Sequence, residues 1–336
     1  MNAKTKLLLF TLFAFALTVF LGMSEAAVAL QGYADKNPGS NKDVTEDLAQ
    51  NDTTYEYVLF GRFPQSSLGT SSPGWGVESR DWVKAPNVKN GNAETYYAIE
   101  PILWRVLSAD QSGSGRRAVL LSERLLYAHV FDERERNDTE IWGQPGSTWS
   151  NYNLNYGYSQ VRTSLVGDEQ YPSSPYTQGI FGNAGVEPGA YFTGPEQGAV
   201  DSASLTTSDG GNKSVATGNP LFLLSWSEVG TASGDPRWLR TSINRRGYTT
   251  AYAASRADDI EPGDRAPWNT RSVLEGRLIR VLKSGSTSAS GVATDQQVRP
   301  ACFLNLESFI FKSASTFPPS FVNDAGSRLN PYKLYT

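Results

Sequence analysis

The apolar positions of this chain fall into short runs separated by long polar stretches. Tyr55-Glu56-Tyr57-Val58-Leu59-Phe60 is the first such run, and Gly61 closes it. A loop rich in Ser, Gly and Pro is expected through about Asn92. Thr95–Ile99, Pro101–Ser108 and Arg117–Leu121 then repeat the mixture of aromatic and β-branched residues. Such residues fit a pleated, half-buried surface, so these segments predict strands, joined most simply as a meander.

The pattern changes after Leu121. Ser122 precedes Glu123-Arg124-Leu125-Leu126-Tyr127-Ala128-His129, whose spacing predicts a helix. Ser122 would cap it, with Glu123 near its positive end. The same order recurs in Leu221–Glu228, where Ser225 and Glu228 stand at capping-box spacing. Val161–Val166 predicts a short helix. Leu278–Leu282 and Val298–Leu306 predict strands, and Phe309-Ile310-Phe311 extends the apolar pattern. The charged run 132–140 reads as a solvated segment. Residues 142–176 are rich in Tyr, Asn, Ser and Gly, and 179–220 read as loop with short elements. Residues 313–336 read as a tail draped on the surface.

At the N-terminus, Lys4 and Lys6 precede the apolar or small stretch Leu7–Met23, and Ala27-Val28-Ala29 follows. A basic segment, an apolar core and an Ala-x-Ala ending predict a secretory signal peptide over 1–29. Cleavage is expected after Ala29 or, alternatively, Ala26. An uncleaved anchor is the competing reading, but the run is slightly short of the roughly 20 residues that a spanning helix needs. No later stretch is apolar enough to span a bilayer. Residues 30–52 are polar and read as a flexible lead-in, and 53–312 as one domain. The location expected is therefore exported: periplasmic, cell-surface or extracellular.

Composition narrows the chemistry. Net charge is −4 and basic and acidic residues are interspersed, so no basic face points to nucleic acid. Cys302 is the single cysteine, which excludes an internal disulfide, and His129 is the single histidine. Zinc sites built from several Cys or His ligands are excluded with them. Any Ser-His-Asp or Cys-His site must use His129. His129 lies in a mostly apolar segment and reads as structural. Cys302 lies in an apolar strand and reads as an inert core thiol.

The order of several strings resembles an exported bacterial domain family of unknown function. The strings are Tyr57-Val58-Leu59-Phe60-Gly61-Arg62-Phe63-Pro64-Gln65, Pro101-Ile102-Leu103-Trp104-Arg105-Val106-Leu107 and Leu120-Leu121-Ser122-Glu123. Then come Leu223-Leu224-Ser225 with Glu228, Trp268-Asn269-Thr270-Arg271-Ser272 and Val298-Arg299-Pro300-Ala301. That family is similar to the C-type-lectin-like fold, which also hosts formylglycine-generating enzymes. The resemblance implies an α+β fold: small, mostly antiparallel sheets, a few short helices and long loops. The chain departs from the family's helix pattern around Trp149–Leu165, and the region from Tyr171 to Gly218 is expanded.

No cofactor is expected. Asp258, Asp259, Glu261 and Asp264 crowd one loop with oxygen ligands of the kind calcium takes, but their spacing fits no EF-hand. Formylglycine-type chemistry needs a cysteine pair that the chain lacks. No string singles out a carboxylate pair for hydrolysis. Tyrosines among Asn, Ser and Gly suit loop recognition, and Trp offers stacking faces. The candidate ligand-binding residues are Tyr152, Tyr156, Tyr158, Trp226, Trp268 and Arg271. Arg271, like Arg299, also has a structural reading, because arginine satisfies buried carbonyls and carboxylates. The expected function is non-catalytic binding of an extracellular or envelope protein or glycan. The alternatives are an envelope structural or assembly protein and, third, a carboxylate-dependent hydrolase.

Overall fold

A computed structural model describes residues 55–73, 81–110, 117–131, 156, 159–166, 179–181, 191–207, 214–230, 238–239, 241–257, 259–274, 277–291, 296–306, 310–313 and 332–335. The expected signal peptide and lead-in lie outside the described residues. In chain order the strands are β1 (Glu56–Gly69), β2 (Trp82–Asn87), β3 (Ala93–Asp110), β4 (Arg117–Ser122), β5 (Arg124–Leu125), β6 (Tyr127–His129), β7 (Val200–Asp201), β8 (Ala203–Thr207), β9 (Ser214–Asn219), β10 (Leu221–Phe222), β11 (Tyr248–Thr249), β12 (Trp268–Leu274), β13 (Arg277–Val281), β14 (Thr287–Ser290), β15 (Gln296–Val298), β16 (Ala301–Asn305), β17 (Ile310–Ser313) and β18 (Tyr332–Tyr335). The helices are short: α1 (Gln160–Val166), α2 (Gly194–Gly198), α3 (Ser242–Arg245) and α4 (Ala251–Ala254). The architecture is β-rich α+β.

Among the described residues the largest sheet runs β10-β16-β4-β3-β1-β18-β17, with β2 beside β3 and β7 beside β16. A five-stranded sheet runs β14-β13-β12-β15-β6. Most pairings are antiparallel, but β1–β18, β5–β11 and β12–β15 are parallel. One apolar core serves both large sheets: Val58, Trp104 and Leu120 from the first share it with Trp268, Leu278 and Val281 from the second.

The first strand does not end at Gly61. Its pairing with β3 passes from Leu59–Leu103 to Arg62–Pro101, so β1 carries one extra residue there. Pro101 has no N–H to give the ladder, and a bulge opposite it removes the demand. Gly61 takes φ +63°, and the Phe192 ring lies 2.3 Å from where a Cβ would stand. Only glycine fits both conditions. The Gly61 N–H leaves the ladder and donates to Glu196 Oε1 at 2.9 Å. The expected pair of strands over 95–108 is one continuous strand, β3. The loop expected to run through Asn92 contains β2, which pairs with β3 from Trp82–Ala98 to Asn87–Ala93.

The helix expected at Glu123–His129 is absent. Arg124 and Leu125 pair in parallel with Tyr248 and Thr249, and Tyr127–His129 pairs antiparallel with Gln296–Val298. A short apolar run satisfies helical and extended spacing alike, and distant partners decided between them. Ser122 does not cap a helix; its hydroxyl donates to the Arg124 carbonyl at 2.8 Å. The capping box at Ser225 does form, around a turn. Ser225 N–H donates to Glu228 Oε2 at 2.7 Å, and Glu228 N–H donates to Ser225 Oγ at 3.2 Å.

The strand expected over Val298–Leu306 is two strands in two sheets, β15 and β16, split at Arg299-Pro300. The end of the expected tail also enters a sheet: β18 pairs with β1 and β17.

Candidate functional site

The strings that carry the resemblance meet one another in space. Glu123 takes a two-pronged hydrogen bond from Arg105, Nε at 2.9 Å and Nη2 at 3.0 Å. Arg299 is fully buried at the crossing between the two large sheets. Its Nε donates to the Ser122 carbonyl at 2.8 Å, and its Nη1 donates to the Arg246 carbonyl at 3.0 Å. Its guanidinium sits over the Trp268 ring, 5.4 Å from the centroid. Arg271 forms the second pair, Nη1 to Glu228 Oε2 at 2.6 Å and Nη2 to Oε1 at 2.7 Å. It also donates to the Leu223 carbonyl. Planar guanidinium groups suit this use, because one side chain satisfies a carboxylate and several carbonyls at once. These contacts are closed and interior: they hold sheets and turns together.

The sequence-derived binding residues divide accordingly. Tyr156 is fully buried, and its hydroxyl accepts from the Leu223 N–H at 3.2 Å. Burial pushes its pKa from the ordinary 10.0 up to about 12. Trp268 is fully buried, and its indole N–H donates to the Arg245 carbonyl at 2.9 Å. Trp226 is half-buried, with its backbone N–H donating to Ser272 Oγ. Tyr156 and Arg271 thus support the Leu223–Glu228 segment to which Trp226 belongs, whereas Trp268 sits with Arg245 and Arg299. Tyr156 and Trp268, being fully buried, offer no open stacking face. Tyr152 and Tyr158 lie outside the described residues. Cys302 is buried and its thiol pKa is pushed up by burial, which keeps it protonated. His129 Nδ1 lies 2.6 Å from the Val130 carbonyl.

Three of the acidic-loop residues are described, and Asp258 is not. Asp264 Oδ2 accepts from the Glu261 N–H at 3.0 Å, which closes a turn. Gly263 within it takes φ +86°. Among the described residues no group of three or more His, Cys, Asp or Glu stands ready for a metal ion. Glu261 instead reaches Lys89 Nζ at 2.7 Å, across 172 positions of sequence.

That contact marks the rim of a cavity of about 600 Å³. Its walls include Asn87, Lys89, Tyr97, Ser255, Glu261 and Pro262. The β2–β3 hairpin builds one side. Asn87 Oδ1 accepts from the Lys89 N–H, and Gly91 and Asn92 both take left-handed backbone angles. Both residue types tolerate that conformation, and tight hairpins use it. The Val88 N–H then docks the turn on the Ser255 carbonyl at 2.9 Å. Ser255 follows α4, which Thr250 caps by accepting from the Ala253 N–H. On the remaining side, Thr249 Oγ1 donates to the Glu261 carbonyl at 2.8 Å and holds the acidic turn in place.

Tyr97 is the exceptional residue of the wall. It is 1% exposed, its ring meets Tyr252 edge-on at 5.2 Å, and its buried hydroxyl has no hydrogen-bond partner. A buried hydroxyl left unpaired costs about 1–3 kcal/mol. Sequence reasoning passed over Asn87, Lys89 and Tyr97. The available signal was Asn90-Gly91, a hairpin dipeptide between two alternating runs.

Residues 195–306 match the model of a domain of unknown function, DUF6273. The match covers about a third of the chain, includes the Glu228–Arg271 pair, Arg299 and the Glu261 side of the cavity, and leaves the β2–β3 hairpin outside. It agrees with the expected resemblance to a domain of unknown function. No curated protein matches the chain, and no solved structure matches it.

Proposed function

We propose that this chain is an exported, non-catalytic ligand-binding domain that works on a glycan or protein at the bacterial cell envelope or outside the cell. We read its fold as C-type-lectin-like, supported by the order of its sequence strings and by the β-rich α+β architecture. The observation that carries the binding reading is the cavity between the β2–β3 hairpin and the Glu261 turn. Its volume falls within the usual range for small-molecule sites, roughly 300–1,000 Å³. Asn87, Ser67, Lys89 and Glu261 supply amide, hydroxyl, ammonium and carboxylate groups around it.

The test is a binding screen of the purified chain against arrayed glycans and envelope proteins, with and without calcium. A saturable hit, weakened roughly tenfold by Asn87→Ala, is the expected result, since one hydrogen bond is worth about 1.5 kcal/mol. A folded protein that binds nothing and self-associates with concentration would replace this reading with envelope assembly.

A further inference from the structure

We infer that the cavity takes an acidic saccharide, whose carboxylate replaces Glu261 on the Lys89 ammonium while its ring hydroxyls meet the neutral wall. This rests on the cavity being a ligand site. The two partners of the rim pair are not equivalent. The Lys89 side chain is 16% exposed and part of the wall, whereas the Glu261 side chain is 74% exposed. Glu261 can swing into solvent and remain hydrated. Lys89 is held by its hairpin, with its N–H on Asn87 and the neighbouring Val88 N–H on Ser255. A pair whose glutamate stands largely in water contributes about 1 kcal/mol, so a ligand carboxylate can take the glutamate's place. With the glutamate swung away, the charge left in the wall is positive, and the ligand group that answers it is an anion.

The rest of the wall selects for hydroxyls. Asn87, Asn90 and Ser67 line it with neutral amide and hydroxyl groups. A sugar ring carries several hydroxyls beside its carboxylate, and so answers both kinds of group at once. A cationic ligand would instead have to hold Glu261 and leave Lys89 uncompensated in the wall.

The experiment is an NMR chemical-shift titration of the purified chain with glucuronate, glucose, glucosamine and N-acetylserine. Glucuronate should bind most tightly, with its shifts focused on the β2–β3 hairpin and on Glu261. Lys89→Met should weaken it by roughly tenfold or more, as expected when a charge-assisted contact is lost. Glu261→Gln should tighten it up to about fivefold by removing the internal competitor. Preference for glucosamine, equal binding of glucose, or indifference to Lys89→Met overturns the carboxylate assignment and leaves the cavity standing as a ligand site. Binding of N-acetylserine without glucuronate overturns the saccharide assignment. No shift with these probes, together with an empty glycan and protein screen, removes the cavity reading and this inference with it.

Discussion

Two kinds of acid–base pair stand in this molecule, and they differ in what they can do. Glu228 and Arg271 meet through two prongs at 2.6 and 2.7 Å, with side chains 12% and 3% exposed. Lys89 and Glu261 are equally close at 2.7 Å, but the glutamate stands largely in water. Distance therefore does not separate them; desolvation does. The buried pair has already given up its hydration and has nowhere else to find it, so it behaves as a fixed joint. The rim pair exchanges its partner for water or ligand at little cost. The first kind holds the fold, and the second is the kind of contact that a binding site can use.

The strongest way to break that contrast is to halve the buried pair. Arg271→Met leaves Glu228 charged, partly desolvated and without its guanidinium, and also strands the Leu223 carbonyl. Removing one member of a buried pair costs about 3–5 kcal/mol. Urea unfolding should show that loss or an unfolded protein. Adding Glu228→Leu to Arg271→Met should restore much of it, because the orphaned charge goes too. A single substitution costing under about 1 kcal/mol would mean that the pair is hydrated like the rim pair, and the contrast would fail.

A second effect comes from Tyr156, which also supports the Leu223–Glu228 segment. Its folded pKa is raised to about 12 from an ordinary 10.0 because burial disfavours the phenolate. The N–H of Leu223 opposes that shift but does not cancel it. Above pH 10 the unfolded chain releases this proton while the folded chain keeps it. The contribution is therefore complete below pH 10 and is lost as pH rises to 12, by about 1.4 kcal/mol per pH unit for one proton. Unfolding free energies measured between pH 9 and 12 should fall with that slope. Tyr191 and Cys302 are pushed the same way by burial and steepen it. Tyr156→Phe should reduce the slope by about one proton, while costing about 1–3 kcal/mol at neutral pH through the stranded Leu223 N–H. An unchanged slope would show that Tyr156 is hydrated in the folded protein.

The same contrast explains what the sequence could disclose. Local features were legible: β13, the short helix α1 and the reciprocal bonds of Ser225 and Glu228 depend on neighbours in the chain. Features decided by distant partners were not. Tyr127–His129 reads as helical until Gln296–Val298 lies beside it, and Tyr332–Tyr335 reads as a tail until β1 lies beside it. Tyr156 and Trp268 looked suited to recognition because composition reports ring and hydroxyl but not burial. The cavity was hidden for the same reason. Lys89 and Glu261 are each unremarkable in sequence, and only the fold brings them together. In the sequence Glu261 is one carboxylate among several in a loop whose spacing fits no EF-hand, and its observed partner is an ammonium.

The smallest expected effect is the sharpest test of the distinction. Lys89→Met and Glu261→Gln should each change unfolding free energy by no more than about 1 kcal/mol, because the glutamate stands largely in water and such a pair adds little. The ion-pair part of even that small effect should shrink further in high salt, since solvent-exposed charges are screened over about 8 Å at physiological ionic strength. A double-mutant cycle on the two positions, run at low and high salt, isolates that coupling from the change in each side chain alone. A coupling near zero at high salt fits a contact free to open. A coupling of 2 kcal/mol or more that ignores salt would place Lys89 and Glu261 with Arg271 and Glu228, as a joint that closes the cavity rather than a pair a ligand can part.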